Sequence, residues 1–284
     1  MFQPKHAVVQ FYRYPNKLPF PDIVQGIWGF MGGVETSEFE LISDGYPEMI
    51  FMIQGGHTFT VAGQTYRVDS HSFIGQIEKK ATIVFDPNTI CLSVKLMPWA
   101  LPLLTNDTAK LFKNQVVHCE DIMHLPENLK TLLQPEGFSL QKTVEEGIIP
   151  FLRDRISRGK EAPSLLKDQI RNLFSDVQRL SDNETAAGNY SARYLEKAYQ
   201  EYVGISPKKY RRLIRIKKAS LLLSEDMKEE SVAALALALG YFDQSHFYKD
   251  FLMFTETSPS KFMATTNNSP VLTNQNYRQQ WEYS

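Results

Sequence analysis

Ser206-Pro207 and Ser258-Pro259 lie 52 residues apart, and sliding the chain against itself by that offset brings its C-terminal part into register. Gly188 falls on Gly240, Ser191 on Asp243, Leu195 on Phe247, Lys197 on Lys249 and Tyr199 on Phe251. Further on, Tyr202 meets Phe254, Lys209 meets Lys261 and Tyr210 meets Phe262. What recurs is a glycine turn, a helix with apolar residues at i and i+4, a Ser-Pro turn and the start of another helix. Such a chain is expected to place two like helical units in tandem, each needing a neighbour to cover its apolar stripe.

The second copy shows what a unit can do. Ser231 can cap VAALALALG, a helix of small apolar residues, and Gly240 stands where a left-handed residue would end it. Asp243 can cap the next helix, whose Phe247, Phe251 and Phe254 recur on one inward face. Its outer face then carries Gln244, Ser245, His246 and Lys249 near the N-terminal end. Two short helices joined this way make a helix-turn-helix, whose second helix enters the DNA major groove by its N-terminal residues. Gln can read adenine with two hydrogen bonds, and Lys can meet guanine or phosphate.

Net charge is −1 over 284 residues, which favours no partner class by itself, but Lys208 to Lys218 holds seven cations and no acid. Lys208, Lys209, Arg211 and Arg212, with Lys261, are the candidate phosphate contacts. Helical spacing turns Leu213, Ile216 and Leu221 inward and lets Lys208, Arg212, Arg215 and Lys218 share an outer side. Arg215 could instead pair with an acid of a helix-turn-helix unit. A run of this kind can also be merely a solvated helix face; the flanking repeat favours phosphate contact.

From about Ile23 to Leu96 the chain reads as β-structure. VFDPNTICLSVKL alternates, IFMIQGGHTFTVAGQTYRV reads as three strands, and turn signals recur at Asp44-Gly45, Gly55-Gly56, Ala62-Gly63 and Asp86-Pro87. This spacing suggests a barrel or sandwich. Its aromatic residues (Trp28, Phe30, Phe51, Phe59, Tyr66, Phe73, Phe85) could line a pocket, although a plain core accounts for most of them. After Met97-Pro98 the spacing turns helical, in WALPLLT, DIMHLPENLKTLL and SLQKTVEEGIIPFLRDRI.

At its C-terminal signature, VAALALALGYFDQSHFYKDFLMFTETSPSKF, the chain resembles the AraC/XylS family of bacterial transcription regulators, and SARYLEKAYQEYVGISPKKYRRLIRIKKA resembles the first half of that signature. The resemblance spans roughly residues 175 to 264. It implies two helix-turn-helix units joined by a long helix, with recognition helices entering successive major grooves. By position it gives the first unit the reading residues Ala192, Arg193 and Lys197, with Gln200 a further candidate. IVQGIWGF, SDGYPEMIFMI and CLSVKLMPWALPLL resemble, more loosely, a domain fused to such modules. One departure stands out: Asn183 and Glu184 of the first unit replace Leu235 and Ala236 of the second, so the second unit is expected to supply most of the base readout.

The expected molecule is multidomain. An N-terminal α+β part, a β-rich barrel or sandwich with helical appendages, covers 1–158 and senses or dimerises. A linker follows at 159–164, an all-α tandem helix-turn-helix domain at 165–266, and a polar tail at 267–284. The expected partner is double-stranded DNA, with RNA polymerase, a small-molecule effector of unassigned site and a second copy of the N-terminal domain as further candidates. Cys91 and Cys119 suit a reducing cytoplasm, and the N-terminus has no apolar secretion segment. No membrane association, cofactor, metal or catalysis is expected. His118, Cys119, Glu120, Asp121 and His124 fit no trusted metal spacing and read as a helix start capped by Asp121. His57 and His71 with Glu48 could suggest a metal centre in the β domain, but the His-x-His pair is missing. Two rivals remain: a β-domain enzyme dependent on a metal or carbohydrate, and a protein-interaction module whose helical units have lost DNA binding.

Overall fold

The computed structural model describes residues 10–15, 17–175, 191–223 and 232–266. Ten strands come first: β1 (Gln10–Arg13), β2 (Val24–Met31), β3 (Ser37–Leu41), β4 (Glu48–Gln54), β5 (His57–Val61), β6 (Gln64–Val68), β7 (Ser72–Ile74), β8 (Ala81–Phe85), β9 (Ile90–Leu96) and, past a short helix, β10 (Val116–His118). They form two antiparallel sheets, ordered β1-β2-β9-β4-β7-β10 and β3-β8-β5-β6. The β-rich expectation holds, with two strands outside the span read as β.

Both faces of the larger sheet are buried at its inner strands β4 and β9, and the period-2 alternation decides which side chain serves which face. In β4 and β9, Met49, Phe51, Ile53, Leu92, Val94 and Leu96 pack beneath helices. Their neighbours Ile50, Met52 and Cys91 face the smaller sheet. The covering helices are α1 (Leu101–Thr105), α2 (Glu127–Leu132), α3 (Leu140–Lys142) and α4 (Ile149–Arg158), with a π-helical segment at Thr143–Ile148 between the last two. Of the seven aromatic residues, Phe51 and Phe73 join this helix-covered core. Trp28, Phe30, Phe59 and Phe85 line a cavity of about 100 Å³ between the sheets. Tyr66 packs at the edge of the inter-sheet core.

Asp121 caps nothing: it ends a 3-10 turn, Cys119–Asp121, that follows His118. Nor do His57 and His71 converge. His57 lines the cavity, whereas His71 accepts a hydrogen bond at Nδ1 from the Met52 amide (3.2 Å) and packs beside Phe51. Among the described residues no group of three or more His, Cys, Asp or Glu is placed to hold a metal. Cys91 and Cys119 are buried and unpaired, and burial raises the Cys91 thiol to about 12.

The stretch read as a linker is packed. Ala162 is buried, and a Cβ on Gly159 would stand 1.9 Å from the Leu103 carbonyl oxygen. Helices α5 (Ser164–Ser175), α6 (Ala192–Tyr202), α7 (Pro207–Leu223), α8 (Val232–Ala238), α9 (Gln244–Thr255) and α10 (Pro259–Thr266) follow. Their shared core takes in Ile42 and Trp99 from the β-rich part, so the two halves are continuous in packing. Other contacts tie them: the Tyr210 hydroxyl donates to the Gly45 carbonyl (3.1 Å), Tyr46 stacks on Phe174 (centroids 4.9 Å apart), and Lys209 pairs with Glu78 at 2.8 Å. No described helix is long and apolar enough to cross a membrane.

Candidate nucleic-acid interface

The repeat read from sequence recurs as backbone chemistry. Ser191 caps α6 by accepting from the Tyr194 amide (3.2 Å), and Asp243 caps α9 by accepting from the His246 amide (2.7 Å). Ser206 and Ser258 each accept, at 3.3 Å, from the amide three residues on, Lys209 and Lys261. Even the left-handed residue after each of these two helices is repeated, as Gly204 (φ +88°) and Glu256 (φ +57°). Between α8 and α9 the turn is closed by Gly240 at φ +77°, with the Tyr241 amide donating to the Ala236 carbonyl (3.0 Å).

Burial sorts each helix into two faces. On α9, Phe247, Phe251 and Phe254 are buried, and Gln244, Ser245, His246 and Lys249 are exposed. On α6, Leu195, Ala198, Tyr199 and Tyr202 are buried, while Ala192, Arg193 and Lys197 are exposed and Gln200 is half-buried. Each helix thus offers a polar outer face at its N-terminal end, where free amides and the positive end of the helix dipole also favour phosphate. Ser231, the Asn183/Glu184 departure and the polar tail at 267–284 lie outside the described residues.

The basic helix departs from its expected role. Arg212 grips the buried carboxylate of Asp250 with two hydrogen bonds (Nε 2.8 Å, Nη2 2.6 Å), so it braces α9 rather than standing ready for phosphate. Arg215 is 1 % exposed, under α9's turn, with its guanidinium 5.3 Å from the Tyr241 ring centre. The Tyr241 hydroxyl in turn donates to Asp250 (3.4 Å). Arg212 thus makes a pairing with an acid of the second helix-turn-helix unit, of the kind foreseen for Arg215. Lys209, a candidate phosphate contact, pairs with Glu78. With Arg215 buried and Lys218 donating to the Leu173 carbonyl (3.0 Å), the outer side expected for Lys208, Arg212, Arg215 and Lys218 does not form. Lys217 is buried beside Asp44, and desolvation lowers its pKa to about 8. Arg211 is half-buried, and Lys208 and Lys261 are exposed. Helical period and charge could not show this sorting, because the acids concerned lie far off in sequence: Asp250 is 38 residues from Arg212.

Comparison with known proteins agrees with this geometry. Residues 185–265 match the family model described as a helix-turn-helix domain. A Haemophilus influenzae protein named only as an uncharacterized HTH-type transcriptional regulator is 29% identical over 122 residues, which cover 43% of this chain and 38% of its own. The HTH-type transcriptional regulator MtrA of Neisseria gonorrhoeae is 33% identical over 81 residues, covering 28% of this chain and 26% of its own. The match therefore spans well under half the length of either relative. Among solved structures, ToxT from Vibrio cholerae O395 aligns over 93% of this chain and 99% of its own, with 14% identity and a TM-score of 0.44. Residues 185–265 are thus similar to the helix-turn-helix domain that bacterial HTH-type transcriptional regulators carry.

Proposed function

We propose that the protein is a sequence-specific DNA-binding transcription regulator that reads a duplex through α6 and α9 and is controlled by a small molecule in its β-rich half. The observation that carries this reading is the pair of equivalently capped helices, each with its apolar residues inward and an exposed polar face at its N-terminal end. Gln244, Ser245, His246 and Lys249 are the base-reading set of the second unit, and Ala192, Arg193 and Lys197 that of the first. Lys208, Lys261 and the helix N-termini supply phosphate contacts. A regulator of this kind works on DNA in the cytoplasm and performs no catalytic step. RNA polymerase and a second copy meeting through the N-terminal half complete the proposed set of partners.

Selection of binding sites from random duplex DNA tests this with the full chain and a Gln244→Ala/Lys249→Ala variant side by side. An enriched motif that the variant loses is expected. Failure of any motif to enrich, with the protein folded, would favour an interaction module instead.

A further inference from the structure

The cavity between the two sheets has chemically different ends. Its walls are apolar, with the rings of Phe30 and Phe85 stacked 3.7 Å apart and Phe59, Ile50 and Ile83 beside them. At the same end His57 is 2 % exposed and its Nδ1 has no hydrogen-bond partner. Burial lowers the His57 pKa to about 4, so the ring is neutral and offers a hydrogen bond without a charge. The opposite end is acidic. Asp44 and Glu48 line the cavity there with the Ser43 and Ser93 hydroxyls and the Trp28 and Tyr46 rings.

The cations that balance those acids lie outside the lining. Lys95 hydrogen-bonds Asp44 and approaches Glu48 at 3.6 Å, and Lys217 lies in the field of Asp44. The lining thus presents carboxylates and no ammonium group. The Ser93 hydroxyl donates to one Glu48 oxygen (2.7 Å). The Trp28 indole N–H is buried without an acceptor, a second unmet polar group in the lining. An anionic ligand meets like charge in this lining, whereas a cation can pair with Glu48, which Lys95 approaches only at 3.6 Å.

We propose that this cavity binds a small lipophilic amine, with its apolar body among Phe30, Phe59 and Phe85 and its ammonium group at Glu48 and Asp44. The proposal rests on the reading of the β-rich half as the sensor and gives that sensor a ligand class.

The test titrates the full-length protein, without DNA, with three probes of one shape: 2-phenylethylamine, 2-phenylethanol and 3-phenylpropionate. Calorimetry and thermal melting are the readouts. The amine is expected to bind at least tenfold tighter than the alcohol, and the carboxylate more weakly than either. Glu48→Gln, a same-size change at a partly exposed side chain, is expected to cost the amine about tenfold and leave the alcohol unchanged. Ile50→Trp is expected to abolish binding of both by filling the cavity. Equal affinity for all three probes, preference for the carboxylate, or amine binding indifferent to Glu48→Gln would overturn the proposal, and the last needs no cavity-filling variant to fold. Because no DNA is present, these outcomes are independent of the site selection. Selection without amine binding removes the ligand alone, and amine binding without selection removes the DNA reading alone.

Discussion

His57 is a buried ring whose charge the fold refuses. Its pKa drops from 6.5 to about 4 through desolvation, with the nearby Arg67 adding to the effect. Between those two values the unfolded chain takes up a proton that the folded one does not, so stability falls as pH drops from 6.5 toward 4 and this contribution levels off below. The full effect is about 3 kcal/mol. Urea midpoints across that range should show the slope, and His57→Gln should flatten it. Backbone sites are equally specific. Glu256 sits in the left-handed region where its repeat partner is Gly204, so Glu256→Gly should stabilise by roughly 0.5–1 kcal/mol in denaturant titration. Gly204→Ala should do the reverse, by about 2 kcal/mol, because a Cβ there meets the Ala109 carbonyl oxygen at 2.7 Å. The Gly204–Glu256 equivalence follows from the 52-residue register, but Ala109 lies in another part of the chain, where no repeat points.

At the scale of elements, the reading faces of α6 and α9 could be seen in the sequence because helical period alone separates Phe247, Phe251 and Phe254 from Gln244 and Lys249. The work of α7 could not. Composition shows its cations, whereas their partners (Asp250, Glu78, Asp44 and the Leu173 carbonyl) come from four other places in the fold. Two variants on this helix should therefore behave differently. Lys208→Ala should leave stability intact and flatten the salt dependence of DNA affinity by about one unit, as loss of one phosphate contact requires. Arg212→Ala should leave the Asp250 carboxylate buried without its main partner, costing about 3 kcal/mol of stability. Its salt slope should match that of the parent protein. Equilibrium unfolding beside binding at several salt concentrations separates the two. A flattened slope in Arg212→Ala would return that side chain to the phosphates.

For the whole molecule, composition shifts marked two parts but not how they meet. The stretch 159–164 reads as a linker because it is polar and contains Pro163, yet Ala162 is buried and Gly159 lies against Leu103. Gly45 shows the same closeness across the boundary: at φ +86° a Cβ would lie 2.7 Å from Ile214 Cδ1. Gly45→Ala should therefore strain the turn and part the two halves, and limited proteolysis should cut the variant between them faster than the parent chain. Ile42 and Trp99 sharing a core with α5, α6 and α7 has a consequence for how such proteins can be recombined. A gene fusion that swaps in a foreign sensor would leave the DNA-reading half with an uncovered oily socket. The natural unit of exchange for this chain is thus the reading half together with the strand and loop surfaces that plug it, and chimaeras joined at 159–164 without those plugs should precipitate rather than respond.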